Sequence, residues 1–291
     1  MSTRRTILVA ALCATTPILA QAQEMKPARL LQIGFEQVKF GKNDAHERNE
    51  SGWPVAFAAA KSPYYWFALV PMTGGADVLY ISGYQSYEEL ARSQEFTEKA
   101  AGLTAKVSAL FEKDAEYVNV GRGITARTRD DLSTGAAPDF PNIHGWRVTT
   151  YRIRIGQADE FAEARKLIKA ASEKAGLTGT RGVFQVTNGV NTPTFMVFRP
   201  FKSIAEFDAD SAMNATVRAQ YAPGDFEKME KLQEGAILTS ESNIYMVSPK
   251  QSYLPPSFAS IDHWKSNPVF AAAARKSAVI QAGAAKESKK P

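Results

Sequence analysis

The chain has 291 residues, 44% of them hydrophobic, with a formal net charge of +5 and a sequence isoelectric point near 9.1. Removing Arg4 and Arg5 from the 35 basic residues leaves 33 against 30 acidic ones, and the terminal run from Lys286 holds three of the remainder. A near-neutral body with basic ends gives little support to a nucleic-acid role, and a single cysteine, Cys13, excludes any disulfide framework.

The first 22 residues have the order of a secretory signal. Arg4 and Arg5 form a charged start, an apolar stretch runs from Ile7 to Leu19, and Ala20-Gln21-Ala22 offers small residues for cleavage. That stretch is short for a membrane span of about twenty residues. Thr3-Arg4-Arg5-Thr6 also resembles a twin-arginine export signal, and either route implies an exported, periplasmic or secreted protein. Leu12 is too bulky for lipoprotein processing at Cys13. Cleavage removes that cysteine, and no later segment is apolar for long enough to predict an integral membrane segment.

Downstream, one plan is read twice. In the first half, a strand ends at Phe40-Gly41, and Gly52 and Pro54 split residues 44–61 into two short helical pieces. Strand-like runs follow around Phe67 to Leu69 and Val78 to Ser82. Ser86 and Glu89 then form a capping box before a helix with Phe96, Ala100, Leu103, Val107, Leu110 and Phe111 on one face. A strand through Ile124 and Ala126 closes this half, and residues 130–145, rich in Gly, Pro and Asp, read as a loop.

The second half opens with a strand from Arg147 to Ile155. A helix follows, with Phe161, Ala164, Leu167, Ile168 and Ala171 at helical spacing and Gly176 as its stop. Strands at 181–187 and 194–199 are joined through Asn188-Gly189. Ser203 and Glu206 repeat the capping box, a helical region breaks at Pro223-Gly224, and a last strand covers about 238–247. The boxes stand 117 residues apart (203 − 86), and Phe40-Gly41 precedes Ile155-Gly156 by 115 (155 − 40). A drifting offset is what small loop insertions produce in a duplicated unit. A final helix is predicted from Asn267 and Pro268 to about Gln281, ahead of a solvated lysine-rich end.

The expected fold is therefore α+β: two tandem ferredoxin-like βαββαβ repeats forming an intramolecular α+β barrel, plus a C-terminal helix. The predicted divisions are a signal at 1–22, repeats at 30–130 and 146–250, a linker at 131–145 and an extension at 251–291. This plan resembles the dimeric α+β barrel group, which includes antibiotic-biosynthesis monooxygenases, NIPSNAP-like and EthD-like proteins and chlorite dismutases. The resemblance rests on element order over roughly residues 33–250 and implies an architecture with a pocket between sheets, without a residue motif for one activity.

Strand alternation nominates a concave, ligand-facing set. If Val38, Phe40, Ile153 and Ile155 pack on helices, then Gln37, Lys39, Arg152 and Arg154 face inward. The same logic adds Tyr64, Trp66, Tyr80 and Arg127, with Gln185, Arg199 and Tyr245 from the second half. Guanidinium forks beside aromatic faces suit a small anionic or aromatic ligand. The bland alternative is solvated residues on half-exposed strands, or contacts that join the sheets. The candidate ligand-binding residues are Lys39, Trp66, Arg127, Arg152, Arg154 and Arg199, with Tyr80, Tyr245 and His144 as candidate proton carriers.

Metal chemistry is read as absent. His46 and Glu50 could share a helix face, but the polar surroundings of Asp44 and Glu47 favour a solvated helix start. No phosphate loop, nucleophile elbow or haem-attachment motif occurs, so no cofactor is required by the sequence. The expectation is an exported small-molecule-binding protein, with metal-free catalysis open. The alternatives are a scaffold docking through its terminal helix and a haem-handling protein. Duplication permits a monomer or weak oligomer.

Overall fold

The structure is a computed structural model that describes residues 25–191 and 193–287. The expected signal, Cys13 within it, and the last lysines lie outside the described residues. Eight strands form: β1 (Leu30–Val38), β2 (Trp66–Pro71), β3 (Asp77–Tyr84), β4 (Val118–Thr128), β5 (Gly145–Ile153), β6 (Gly182–Asn188), β7 (Thr194–Phe201) and β8 (Ile237–Val247). All pair antiparallel and close into a barrel in the order β1-β3-β2-β8-β5-β7-β6-β4. The first four strands are thus neighbours as β4-β1-β3-β2 and the last four as β8-β5-β7-β6. The β2–β8 and β4–β6 pairings join them.

Helices cover the outside: α1 (Asn43–Glu50), α2 (Gly52–Ala59), α3 (Tyr87–Lys99), α4 (Leu103–Asp114), α5 (Ala158–Lys174), α6 (Asp210–Arg218), α7 (Asp225–Ala236) and α8 (Pro268–Glu287). The split at Gly52 and Pro54 is present, with Pro54 in the first turn of α2, where a missing N–H costs nothing. The single helix expected over Phe96 to Phe111 is two. Gly102 takes φ +74 between α3 and α4, and Phe111 is 67% exposed. Ser203 and Glu206 make the full reciprocal box. At Ser86 the hydroxyl accepts from the Glu89 N–H, but the Glu89 carboxylate accepts from Gln85 instead.

Period-two patterning explains the barrel. Leu31, Ile33 and Phe35 of β1 point inward to meet Phe67 and Leu69, Leu79, Ile124 and Ala126, Trp146 and Val148, Val186, Met196 and Phe198, and Val247 in one core. An eight-stranded barrel is just wide enough for side chains to fill, and here apolar ones fill its middle. The expectation that polar strand residues face a hollow between sheets is therefore corrected. In most strands the apolar side takes the interior, and the polar side lies against the helices or solvent.

The two halves differ on that outer side. In the second half, Ile153, Val183, Phe195 and Val197 meet Phe161 and Ala162 of α5 and Ala236 in a dense apolar cluster. In the first half, the matching face of β1 and β3 carries Gln32, Glu36, Tyr80 and Ser82, and a cavity separates it from the helices.

Residues 253–270 close one barrel end. Trp264 is fully buried, 5.6 Å from the Phe258 ring and 5.9 Å from that of Phe67, and its Nε1 donates to the Pro141 carbonyl at 2.7 Å. Asn267, also buried, donates to the carbonyls of Pro249 and Ser252 and accepts from the Val269 N–H, capping α8. The far part of α8 is exposed, including Val279 and Ile280. No helix among the described residues is long and apolar enough to cross a membrane.

Candidate functional site

The cavity of about 780 Å³ lies between the outer face of β1-β3-β2 and helices α1 to α4. That volume falls within the range of small-molecule sites. Its walls are aromatic: Trp53 and Phe57 of α2, Tyr64, Trp66, Tyr84 and Phe111. Phe57 meets Trp66 edge-on at 5.0 Å, and Trp66 is held by Tyr253 at 5.2 Å and by its Nε1 donating to the Gln251 carbonyl. At the α1–α2 joint Gly52 packs against the Leu110 side chain of α4, where a Cβ would come within 2.8 Å of a leucine methyl.

The floor is acidic. Glu36 projects from β1, Glu50 from the end of α1, Tyr80 from β3 and Asp114 from the end of α4. His46, one turn before Glu50, is 1% exposed, and its Nε2 lies 2.9 Å from Glu36 Oε2. Glu36 keeps 20% of its side chain accessible and lines the cavity. Glu50 is 4% exposed, and its Oε1 has no hydrogen-bond partner among the described residues. Tyr80 Oη, Asp114 Oδ2 and Trp53 Nε1 are orphaned in the same way. Asn49 fixes Asp114 by donating to Oδ1 at 2.7 Å.

Burial pushes the Glu50 carboxyl well above its ordinary pKa, and the charge of Glu36 and the proximity of Asp114 push in the same direction. The Tyr80 phenol is likewise driven well above its ordinary value, first by burial and then by the charge of Glu50. A buried group left without a partner costs about 1–3 kcal/mol. Three of these atoms, on Glu50, Tyr80 and Trp53, belong to residues that line the one cavity, and such a concentration marks it as the candidate site.

The sequence reading of His46 and Glu50 as a solvated helix start is overturned. α1 is polar because its inner face closes over a polar floor, and only the fold brings Glu36 to it. Trp66 and Tyr80 do reach this cavity, from the outer face of the sheet rather than from the barrel interior.

Arg152 and Tyr245 lie inside the barrel, at one mouth, in a second cavity of about 450 Å³ shared by strands of both halves. The sequence reading missed their companions Arg122 and Asp77, which pair at 2.9 Å while Arg122 stacks over Phe35 at 4.2 Å. Burial raises the Tyr245 pKa to about 12.

The other candidates lie elsewhere. Lys39 stands beyond the end of β1, where its Nζ donates to the carbonyls of Ala115 and Glu116 after α4. Arg154 is exposed past the end of β5. Phe40 and Ile155, expected to pack on helices, are exposed for the same reason: each precedes a glycine of positive φ that turns the chain out of the sheet. Arg127 is on the outer face over the Tyr87 ring, and Arg199 pairs with Asp210 at 2.6 Å beside Arg147. Gln185 also faces outward and accepts from Arg129.

His144 stacks on His263 at 4.2 Å. Burial and the neighbouring His144 lower the His263 pKa. A third cavity of about 290 Å³ lies at the barrel end lined by Phe67, Trp146 and Phe198.

No family model matches the chain, and no curated protein matches it. Solved structures similar in outline include a Lactobacillus acidophilus protein described as a monooxygenase, at 11% identity over 76% of this chain and 94% of that one, with a TM-score of 0.47. An anthrone oxidase-like protein aligns at 12% identity over 77% and 92%, TM-score 0.47. A mutant chlorite dismutase from Candidatus Nitrospira defluvii aligns at 9% identity over 77% and 94%, TM-score 0.48. Identities and scores this low bear on neither the site nor its chemistry.

Proposed function

We propose that this is an exported small-molecule-binding protein whose ligand site is the sheet–helix cavity of its first half. The observation that carries the reading is the convergence of three orphaned buried polar atoms, on Glu50, Tyr80 and Trp53, on an aromatic-walled cavity. An acidic floor disfavours an anion, so the ligand is neutral or cationic and partly aromatic, in place of the anionic one inferred from the arginines. If the site is catalytic, it performs proton transfer. Glu50, whose pKa burial pushes up, is the donor, and Glu36, anchored by His46, is the acceptor.

The repeated element order and the matching strand order of the two halves support descent from one duplicated ferredoxin-like unit, with divisions at 30–130 and 146–250. In that reading the site arose where the first copy exchanged apolar helix-to-sheet packing for polar groups. Export rests on the leader alone, and a mature protein beginning at Gln23 is the expected product.

The test is tryptophan fluorescence of the purified mature chain against neutral, cationic and carboxylated aromatic compounds. Quenching by neutral or cationic members, weakened in Trp53→Phe and Glu50→Gln and unaltered in Arg152→Ala, supports the reading. Capture of carboxylated members alone, lost in Arg152→Ala, moves the ligand to the barrel mouth and overturns it.

A further inference from the structure

We propose that Glu36, His46 and Glu50 bind a divalent first-row transition-metal ion at the floor of the sheet–helix cavity. The inference rests on taking that cavity as the site, and it adds an inorganic cofactor to it.

One donor atom from each of the three residues lies within 4.8 Å of the other two. With metal–ligand distances of about 2.1 Å, cis ligands of an octahedral ion stand roughly 3.0 Å apart and trans ligands roughly 4.2 Å. The 2.9 Å between His46 Nε2 and Glu36 Oε2 is already a cis separation. The third ligand needs only a side-chain adjustment. Glu50 follows His46 by four residues on α1, so a single helical turn presents both, while β1 supplies the third ligand from the opposite wall.

The cluster also has what an ordinary acidic surface lacks. Glu50 is buried with Oε1 unpartnered, and the orphaned Oη of Tyr80 lies on the same floor. A dication would supply the missing partner and offset the like charge of adjacent carboxylates. Asp114 beside Glu50, oriented by Asn49, is set to accept a hydrogen bond from an ion-bound water. One imidazole with two carboxylates suits Mn²⁺, Fe²⁺ or Zn²⁺; Mg²⁺ and Ca²⁺ prefer all-oxygen shells. Glu36 lines the cavity and keeps 20% of its side chain accessible, which gives the ion an entry path.

The experiment uses the full mature chain, stripped with a chelator and titrated with Zn²⁺ by calorimetry and with Mn²⁺ by electron paramagnetic resonance, with Mg²⁺ as comparison. One site per chain is expected, with coupling of Mn²⁺ to a single imidazole nitrogen. Affinity should fall roughly 100-fold or more in Glu36→Gln and Glu50→Gln. His46→Gln should abolish the nitrogen coupling. Should His46→Gln fail to fold, the two glutamine variants decide, because glutamine mimics a protonated carboxyl in shape.

The double variant His144→Gln/His263→Gln should bind as the parent does. No stoichiometric binding, unchanged affinity in folded Glu36→Gln and Glu50→Gln, or loss of binding in the double variant would overturn the proposal. Aromatic quenching that persists in the stripped protein while metal binding fails removes the ion and leaves the cavity reading intact. Metal binding without quenching does the reverse.

Discussion

Glu50→Met should make the metal-free protein more stable. In the parent, α1 ends on a 4%-exposed carboxyl with one orphaned oxygen, facing Glu36 and Asp114. Methionine keeps the length of the side chain, fills irregular space and removes the polar atoms. Eliminating an unsatisfied buried group is worth about 1–3 kcal/mol. At roughly 2–4 °C per kcal/mol for a chain of this order, the melting temperature should rise by about 2–12 °C. Urea and thermal unfolding followed by near-ultraviolet circular dichroism, in the presence of a chelator, measure it. The same variant should lose metal-induced stabilisation, which in the parent grows with free ion by mass action. A fall in stability of 1 kcal/mol or more would refute the reasoning. It would mean that the carboxyl is well bonded and serves to tie α1 to the sheet.

Asp210→Asn should cost about 1–3 kcal/mol, because Arg147 and Arg199 both pair with it at 2.6 Å and lie over the Phe207 ring at 3.9 and 5.0 Å. Burial alone would raise the Asp210 pKa, but the two guanidiniums outweigh it and hold the pKa low. The unfolded chain therefore binds the proton first. This contribution is full above the ordinary aspartate range and lost as pH falls through the folded value, so the variant should show a flatter acid limb in urea unfolding. Trp264→Ala should cost about 3–5 kcal/mol by opening the core at Phe67 and Phe258. Removal of residues from 276 onward should leave the melting temperature nearly unchanged, a contrast that tests whether the extension is core or appendage. Gly145→Ala should destabilise by about 1–3 kcal/mol or more, since its Cβ would stand 2.3 Å from the Tyr245 carbonyl oxygen and from Phe201; chemical denaturation reads this directly.

The order of strands and helices was legible in the residues because each signal is local. Alternation in β1, the spacing of Phe161 to Ala171, the break at Gly52 and Pro54 and the Asn267 cap all depend on neighbours a few residues away. The site was only half legible. His46 and Glu50 were visible as a pair four apart, and their polar company argued for water. Glu36 was ten residues distant on a strand, and nothing local shows that it meets them.

Composition and local pattern by themselves determined an α+β chain, the order of its strands and helices and a body of nearly balanced charge. Only the tertiary structure decided which side of each strand is interior. Alternation divides a strand into two faces but carries no sign, and closure of eight strands leaves room inside for side chains alone. That closure sent Tyr80 and Trp66 under the helices, left Arg152 and Tyr245 at the mouth, and brought Glu36 of β1, His46 and Glu50 of α1 and Asp114 of α4 together on one buried floor.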